Sequence, residues 1–182
     1  NKFEIRGPGA LKFLNQVCAN NVDQPVGMVV YTQCLNPRGG IECDFTVTRL
    51  AEERFLIITG TAFGYHDSSY LRLYMPEDGS VVFDDVTSFY ACIGLWGPKA
   101  REILSKVTAK YITVGDVPVL ASRVTYVGEL GWEFYCPMEY GLCLWDTLWE
   151  AGRPFGMVAA GYKAIDSLRL EKGYRYWSGE IG

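Results

Sequence analysis

The stretch that decides the fold is Phe3-Glu4-Ile5-Arg6-Gly7-Pro8-Gly9-Ala10-Leu11-Lys12-Phe13-Leu14, because its pattern returns as Ile93-Gly94-Leu95-Trp96-Gly97-Pro98-Lys99-Ala100-Arg101-Glu102-Ile103-Leu104. Each copy reads as a strand, then Gly-Pro-x-Ala, then a helix with an apolar pair, Leu11 with Leu14 in the first and Ile103 with Leu104 in the second. The glycine releases the strand into a tight turn. The proline takes the first helical position, where its missing N–H would have had no partner anyway. A chain that opens twice in the same way is expected to contain one unit duplicated, with halves 1–90 and 91–182.

Working outward, Met28 to Leu35 and Ile41 to Leu50 read as two strands joined by Asn36-Pro37-Arg38-Gly39-Gly40, a hairpin with strong turn chemistry. A strand from Arg54 to Thr59, a helix from Phe63 to Tyr74 and a strand from Ser80 to Phe83 follow. The second half repeats the order: strands at Lys110 to Val114 and Val119 to Val127, a turn at Gly128-Glu129-Leu130-Gly131, a strand at Trp132 to Cys136 and a helix at Glu139 to Ala151. A last helix, Tyr162 to Lys172, stops at Gly173. The expected class is α+β, with two β-α-β-β-α-β (ferredoxin-like) units and mixed sheets.

The composition agrees with a packed chain. The 182 residues are 49% hydrophobic, 21% charged and 14% aromatic, enough to bury about 70% of the unfolded surface. Net charge is −4 with the basic residues scattered, so no footprint for a nucleic-acid backbone exists and none is expected as partner. Apolar runs such as Phe55 to Ile58 are far too short for a membrane span, and the chain reads as soluble. Six cysteines form no C-x-x-C pair, and the single histidine, His66, cannot complete a metal site of the usual Cys/His kind; no metal is expected. Reduced thiols indicate the cytoplasm, or the mitochondrial matrix if the source is eukaryotic. The chain begins at Asn1 and stops at Gly182 without a terminating element, which is the expectation for a piece of a larger polypeptide.

With one histidine, acid–base chemistry falls to carboxylates. Asp44 lies on the polar side of the alternation Glu42, Asp44, Thr46, Thr48, just past a Gly-Gly turn; its ordinary role would be a solvated charge. Tyr31, on the partner strand, is near enough to share that face. Tyr126 and Glu133 flank the second glycine turn in the same way. Two such aromatic and carboxylate pairs suit a flat, nitrogen-rich ring that stacks on aromatics and donates N–H groups to a carboxylate. Arg169 is placed to hold a carboxylate bidentately or, equally well, to pair with Asp166 one turn back. Asp84-Asp85 reads as a turn or cap. No G-x-G-x-x-G, P-loop or G-x-S-x-G occurs, so this stretch offers no site for NAD, FAD or ATP.

Tyr31-Thr32 followed by Leu35-Asn36-x-x-Gly39-Gly40-Ile41-x-x-Asp44, then Tyr126-x-Gly128-Glu129-x-Gly131-x-Glu133, then Gly161-x-x-Ala164-x-Asp166-Ser167-Leu168-Arg169-Leu170-Glu171 together resemble the folate-binding aminomethyltransferase family. That family includes the glycine-cleavage T-protein and the C-terminal folate half of dimethylglycine and sarcosine dehydrogenases or oxidases. The resemblance covers nearly the whole chain. Gly128 to Glu133 and Leu170 to Trp177 look more like the dehydrogenase branch, whose members carry an FAD-binding half upstream and a small β-rich domain downstream. Two departures stand out: Lys106-Val107-Thr108 runs almost directly into Ala109-Lys110-Tyr111, a shortened loop or a place where residues have been closed up, and Lys163 stands where the T-protein often has arginine.

The resemblance implies tetrahydrofolate-dependent one-carbon transfer from an N-methyl or aminomethyl amine donor, giving 5,10-methylenetetrahydrofolate. Asp44 would position the amine and stabilise positive charge. Glu133 would accept the pterin N–H edge, Tyr31 and Tyr126 would shape the ring slot, and Arg169 or Lys163 would lie near the glutamyl tail. FAD would belong only to an upstream domain of the same polypeptide. The alternatives are a non-catalytic regulatory or small-molecule-binding module of the same fold, and a tetrahydrofolate-dependent demethylase.

Overall fold

A computed structural model describes residues 1–104 and 110–181. The junction of Thr108 with Ala109 lies outside the described residues. The chain forms two compact units, Asn1–Ser88 and Phe89–Ile181.

The first unit runs β1 (Lys2–Arg6), α1 (Ala10–Val17), β2 (Val29–Leu35), β3 (Ile41–Ala51), β4 (Arg54–Thr59), α2 (Gly64–Leu73) and β5 (Val82–Asp85). Its sheet has the order β2-β3-β4-β1-β5, and every neighbouring pair is antiparallel. Helix α1 forms because Ala10, Phe13, Leu14 and Val17 recur at helical spacing and are all buried. They pack on a core with Phe3, Ile5, Phe45, Val47, Phe55, Ile57 and Leu71. Strand β3 shows the period of two that half-buried strands require: Cys43, Phe45 and Val47 point into the core while Glu42, Asp44 and Thr46 stay half-exposed.

The second unit runs β6 (Tyr90–Trp96), α3 (Ala100–Ile103), β7 (Lys110–Val114), β8 (Val117–Ser122), β9 (Gly131–Pro137), α4 (Gly141–Gly152) and α5 (Tyr162–Lys172). Its sheet order, β6-β9-β8-β7, is again antiparallel. Read backwards this is β7-β8-β9-β6, the same sequence of neighbours as β2-β3-β4-β1 in the first unit. Leu95, Val117, Val119, Trp132, Phe134, Leu144 and Leu148 form the core.

The α+β class stands, with two differences from the sequence-based expectation. Neither sheet is mixed. Helix α1 carries the chain from β1 to the far edge strand β2 rather than to a parallel neighbour, and the sheet is then filled by consecutive antiparallel strands. The first unit also places three strands between its helices, so its order is β-α-β-β-β-α-β; in the second unit α5 follows α4 where the first has β5.

The two strand exits coincide in detail. Gly7 and Gly97 have φ of 118° and 138°. The Gly7 N–H donates to the Glu53 carbonyl at 2.9 Å, and Gly97 N–H to Leu130 at 3.0 Å, in each case the residue just before the strand that pairs with the exit strand. Ala10 and Ala100 then donate back to Gly7 and Gly97, both at 3.0 Å. The surroundings differ. A Cβ on Gly7 would collide with the Ser80 carbonyl, whereas one on Gly97 meets nothing. Gly97→Ala is therefore expected to cost only the backbone strain of a positive φ, about 1–3 kcal/mol. Gly7→Ala should cost measurably more in urea unfolding, and equal losses would contradict this packing.

Candidate functional site

In the first unit the hairpin of β2 and β3 sets the face. Asp44 stands opposite Gln33, and Tyr31 opposite Thr46, so Tyr31 and Asp44 occupy diagonal positions on one side. Asp44 is half-buried and accepts a 3.2 Å hydrogen bond from Gln33 Nε2. Tyr31 is 59% exposed. Asn36 locks the turn: its Oδ1 accepts from the N–H groups of Arg38 and Gly40 at 2.9 and 3.0 Å.

In the second unit Glu133 lies on β9, opposite Gly94 on one side and Ser122 on the other. Burial pushes its carboxyl above the ordinary range, and the Tyr135 hydroxyl, which donates to it, offsets part of that shift. Tyr135 is itself buried, and burial, with the Glu133 charge beside it, holds its phenol well up. Glu133 is partly buried, and among the described residues the Tyr135 hydroxyl is the one donor seen on its carboxylate, which leaves lone pairs open to water or a ligand. It is chemically suited to accept N–H groups from a ligand.

Glycines in the same segment serve packing. A Cβ on Gly94 or Gly131 would enter the Trp96 ring, whose Nε1 donates to the Val124 carbonyl at 3.1 Å. Gly128, at φ 74°, lies against the Lys172 side chain of α5. Thus the Gly-x-x-Gly spacing docks a loop onto α5 and Trp96.

Tyr126 departs from its expected position. Strand β8 ends at Ser122, and Tyr126 sits in the following loop, its hydroxyl donating to the Arg175 carbonyl at 2.9 Å and its ring stacked on Tyr174 at 6.1 Å. Tyr126 and Glu133 are therefore not a hairpin pair. Tyr126 instead joins Lys163, Asp166, Arg169 and Tyr176 around a cavity of about 230 Å³, which Glu133 does not line. A second cavity, of about 430 Å³, is lined largely by apolar groups including Trp96, Leu148, Trp149, Met157 and Leu168. That is the size of a small-molecule pocket.

Arg169 is only 5% exposed, and its donors are taken within the chain. Nε reaches Asp166 at 2.6 Å, Nη1 reaches the Tyr174 carbonyl at 2.9 Å, and Nη1 and Nη2 hold Glu180 at 2.8 and 3.2 Å. It clasps the segment after α5, and Glu180 is held below the ordinary carboxylate range by that contact. A ligand carboxylate would have to displace Glu180. Lys163, by contrast, is exposed at the cavity edge. Asp84 pairs with Arg6 at 3.0 Å, and Asp85 accepts from the Thr87 N–H at 2.9 Å, the turn role expected.

Sequence reasoning missed Tyr135, Trp96 and Glu180. The signal for Tyr135 was present, since i and i+2 share a strand face. Glu180 carried none, being eleven residues from Arg169 with no periodic element between.

Two antiparallel sheets, each opened by a strand, a tight glycine exit and a helix, define an α+β domain of aminomethyltransferase fold. The chain belongs to the GCVT N-terminal domain family, whose model matches residues 1–182. It is 38% identical to 4-methylaminobutanoate oxidase (formaldehyde-forming) of Paenarthrobacter nicotinovorans, over 100% of this chain and 23% of the oxidase. It is 33% identical to the mitochondrial pyruvate dehydrogenase phosphatase regulatory subunit of Mus musculus, over 99% of this chain and 22% of that protein. Against the mitochondrial dimethylglycine dehydrogenase of Rattus norvegicus it is 32% identical, over 99% and 22%. The crystal structure of glycine cleavage system aminomethyltransferase T from Bartonella henselae superimposes with a TM-score of 0.82 at 25% identity, covering 96% of this chain and 49% of that one. The chain thus spans less than a quarter of the curated relatives named. Among the described residues no helix is long and apolar enough to cross a membrane.

The raised carboxyl of Glu133 gives a signed expectation. Between the ordinary carboxylate range and its raised value the folded state holds more protons than the unfolded one, so wild-type stability falls as pH rises through that window. Glu133→Gln removes the titration. Its stability relative to wild type should increase across the same window and level off above it, as read from urea midpoints; a pH-independent difference would contradict a raised Glu133 carboxyl.

Proposed function

We propose that this domain binds tetrahydrofolate and transfers a one-carbon unit to it from an N-methyl or aminomethyl amine, giving 5,10-methylenetetrahydrofolate. The observation that carries the reading is Glu133, a desolvated carboxylate with a single neutral donor, in a chain of the GCVT N-terminal domain family. The N–H edge of a reduced pterin would supply the donors that Glu133 lacks, each hydrogen bond to a charged acceptor contributing about 1.5–3 kcal/mol. Asp44, held by Gln33, would orient the donor amine and stabilise positive charge as the new C–N bond forms. Tyr31 and Tyr126 would bound the ring, and Lys163 would face the anionic glutamyl tail. The clasped Arg169 then positions the segment after α5 rather than touching ligand.

Oxidation of the amine is assigned to a separate flavin-binding domain of the same polypeptide. Neither strand exit carries the Gly-x-Gly-x-x-Gly pattern of a dinucleotide site. The natural setting proposed is a dimethylglycine- or sarcosine-dehydrogenase-like enzyme in a reducing compartment, in keeping with six free cysteines. The similarity to a phosphatase regulatory subunit favours one second reading, a regulatory module that kept the fold without the chemistry.

Calorimetric titration with tetrahydrofolate separates them. Wild type should bind saturably; Glu133→Gln should weaken binding by about 10- to 100-fold. Asp44→Asn should bind nearly as well but transfer methylene about 10²- to 10⁴-fold more slowly. No saturable binding in wild type overturns the proposal, and negligible effects of both substitutions favour the regulatory module.

A further inference from the structure

The first unit gathers metal-ligating groups that the folate reading does not use. Cys43 on β3 and His66 and Asp67 on α2 present a sulfur, an imidazole nitrogen and a carboxylate oxygen that all lie within 4.8 Å of one another. Cys43 points to the core, on the opposite side of β3 from its neighbour Asp44. Cys34 stands directly opposite Cys43 across the hairpin, and Cys18 bridges to Cys34 from beyond α1. The side chains of Cys18 and Cys43 hydrogen-bond to that of Cys34, so the three sulfurs form one cluster beside the site.

Two further features point to a cation. Asp67 is fully buried, and its partners are the Thr59 hydroxyl, the Cys43 thiol and His66 Nδ1, the last at 3.1 Å; among the described residues no lysine or arginine pairs with it. A carboxylate removed from water calls for a positive partner. The second feature is a β-bulge. Pairing passes from Cys34 with Cys43 to Leu35 with Ile41, which leaves Glu42 as the extra residue. The bulge turns the Glu42 carboxylate to within 3.7 Å of His66 Nε2, so a second acid meets the same imidazole. His66 is 51% exposed, which gives an entry path from solvent.

We propose that Cys43, His66 and Asp67 form a three-ligand binding site for a borderline-soft divalent cation of the Zn²⁺ type, its fourth position open to water. Mixed sulfur, nitrogen and oxygen donors select that class over Mg²⁺ or Ca²⁺, which take oxygen alone. Metal bonds of about 2.0–2.3 Å set tetrahedral ligands roughly 3.3–3.8 Å apart, so the cluster needs to tighten by about 1.5 Å at most. Binding releases the Cys43 thiol proton to solvent and leaves Glu42 beside the imidazole. The ligands come from β3 and α2, so the ion would fix α2 against the hairpin that carries Asp44 on its other face. The sequence obscures the site because its one histidine has no partner at finger-like spacing; the ligands meet only after folding.

The test is Zn²⁺ titration of the reduced, metal-stripped protein in competition with a chromophoric chelator. One tight equivalent is expected, weakened by about 100-fold or more in Cys43→Ala and at least about 10-fold in His66→Gln, with no change in Cys143→Ala. His66→Gln alters a half-exposed side chain, so it reads the site even if Cys43→Ala folds poorly. Co²⁺ in place of Zn²⁺ should give a thiolate-to-metal charge-transfer band. Absence of a tight equivalent in wild type, or an equivalent that survives His66→Gln unchanged, overturns the proposal.

Discussion

One backbone hydrogen bond, made twice, sets the rest of the architecture: Gly7 N–H to the Glu53 carbonyl and Gly97 N–H to that of Leu130. It ties the exit of the first strand in each unit to the residue that precedes that strand's antiparallel partner. The register of the sheet follows from it. In the second unit the bond fixes the start of β9 at Gly131, and the alternation from there places Trp132 and Phe134 in the core and Glu133 on the opposite face across from Gly94. In the first unit it fixes the start of β4, which pairs with β3 and thereby sets which face receives Asp44. A one-residue slip at either point would send Asp44 or Glu133 into the core.

The glycines at these exits are needed because no side chain adopts φ near 118° or 138° without strain. Those around Trp96 are needed for a different reason. Gly94 and Gly131 leave room for the indole, and the loop it anchors carries Tyr126 towards the segment after α5. Arg169 closes that arrangement from the other side by holding Glu180 and the Tyr174 carbonyl. Residues that look like separate motifs along the chain are thus parts of one packing problem, with Gly128 resting on Lys172 where the loop meets the helix.

The strand exits, the first hairpin and the helix from Tyr162 to Lys172 were legible in the sequence, because each is announced locally by turn chemistry or helical spacing. Sheet direction was not. A strand-helix-strand pattern implies a parallel crossover only if the second strand docks beside the first, and here it goes to the edge. The run Val119 to Val127 has strand composition throughout, yet β8 stops at Ser122, its last pairing being with Glu133; beyond it the Trp96 indole and the Tyr126 hydroxyl commit the loop to other partners. Asp44 and Glu133 were legible as candidates from alternation and glycine turns. The burial that raises Glu133, the internal use of Arg169 and the meeting of Cys43 with His66 and Asp67 depend on long-range contacts that no local pattern encodes.

The folate proposal rests on Glu133, whose carboxyl is held above the ordinary range by burial. The most direct measurement follows its carboxyl carbon by ¹³C NMR across a pH titration, with and without saturating tetrahydrofolate. The account predicts a midpoint above the ordinary carboxylate range in the free protein, moving down when ligand is bound, because donors favour the charged form. A midpoint that is ordinary in the free protein, or that stays put or rises with ligand, would contradict it.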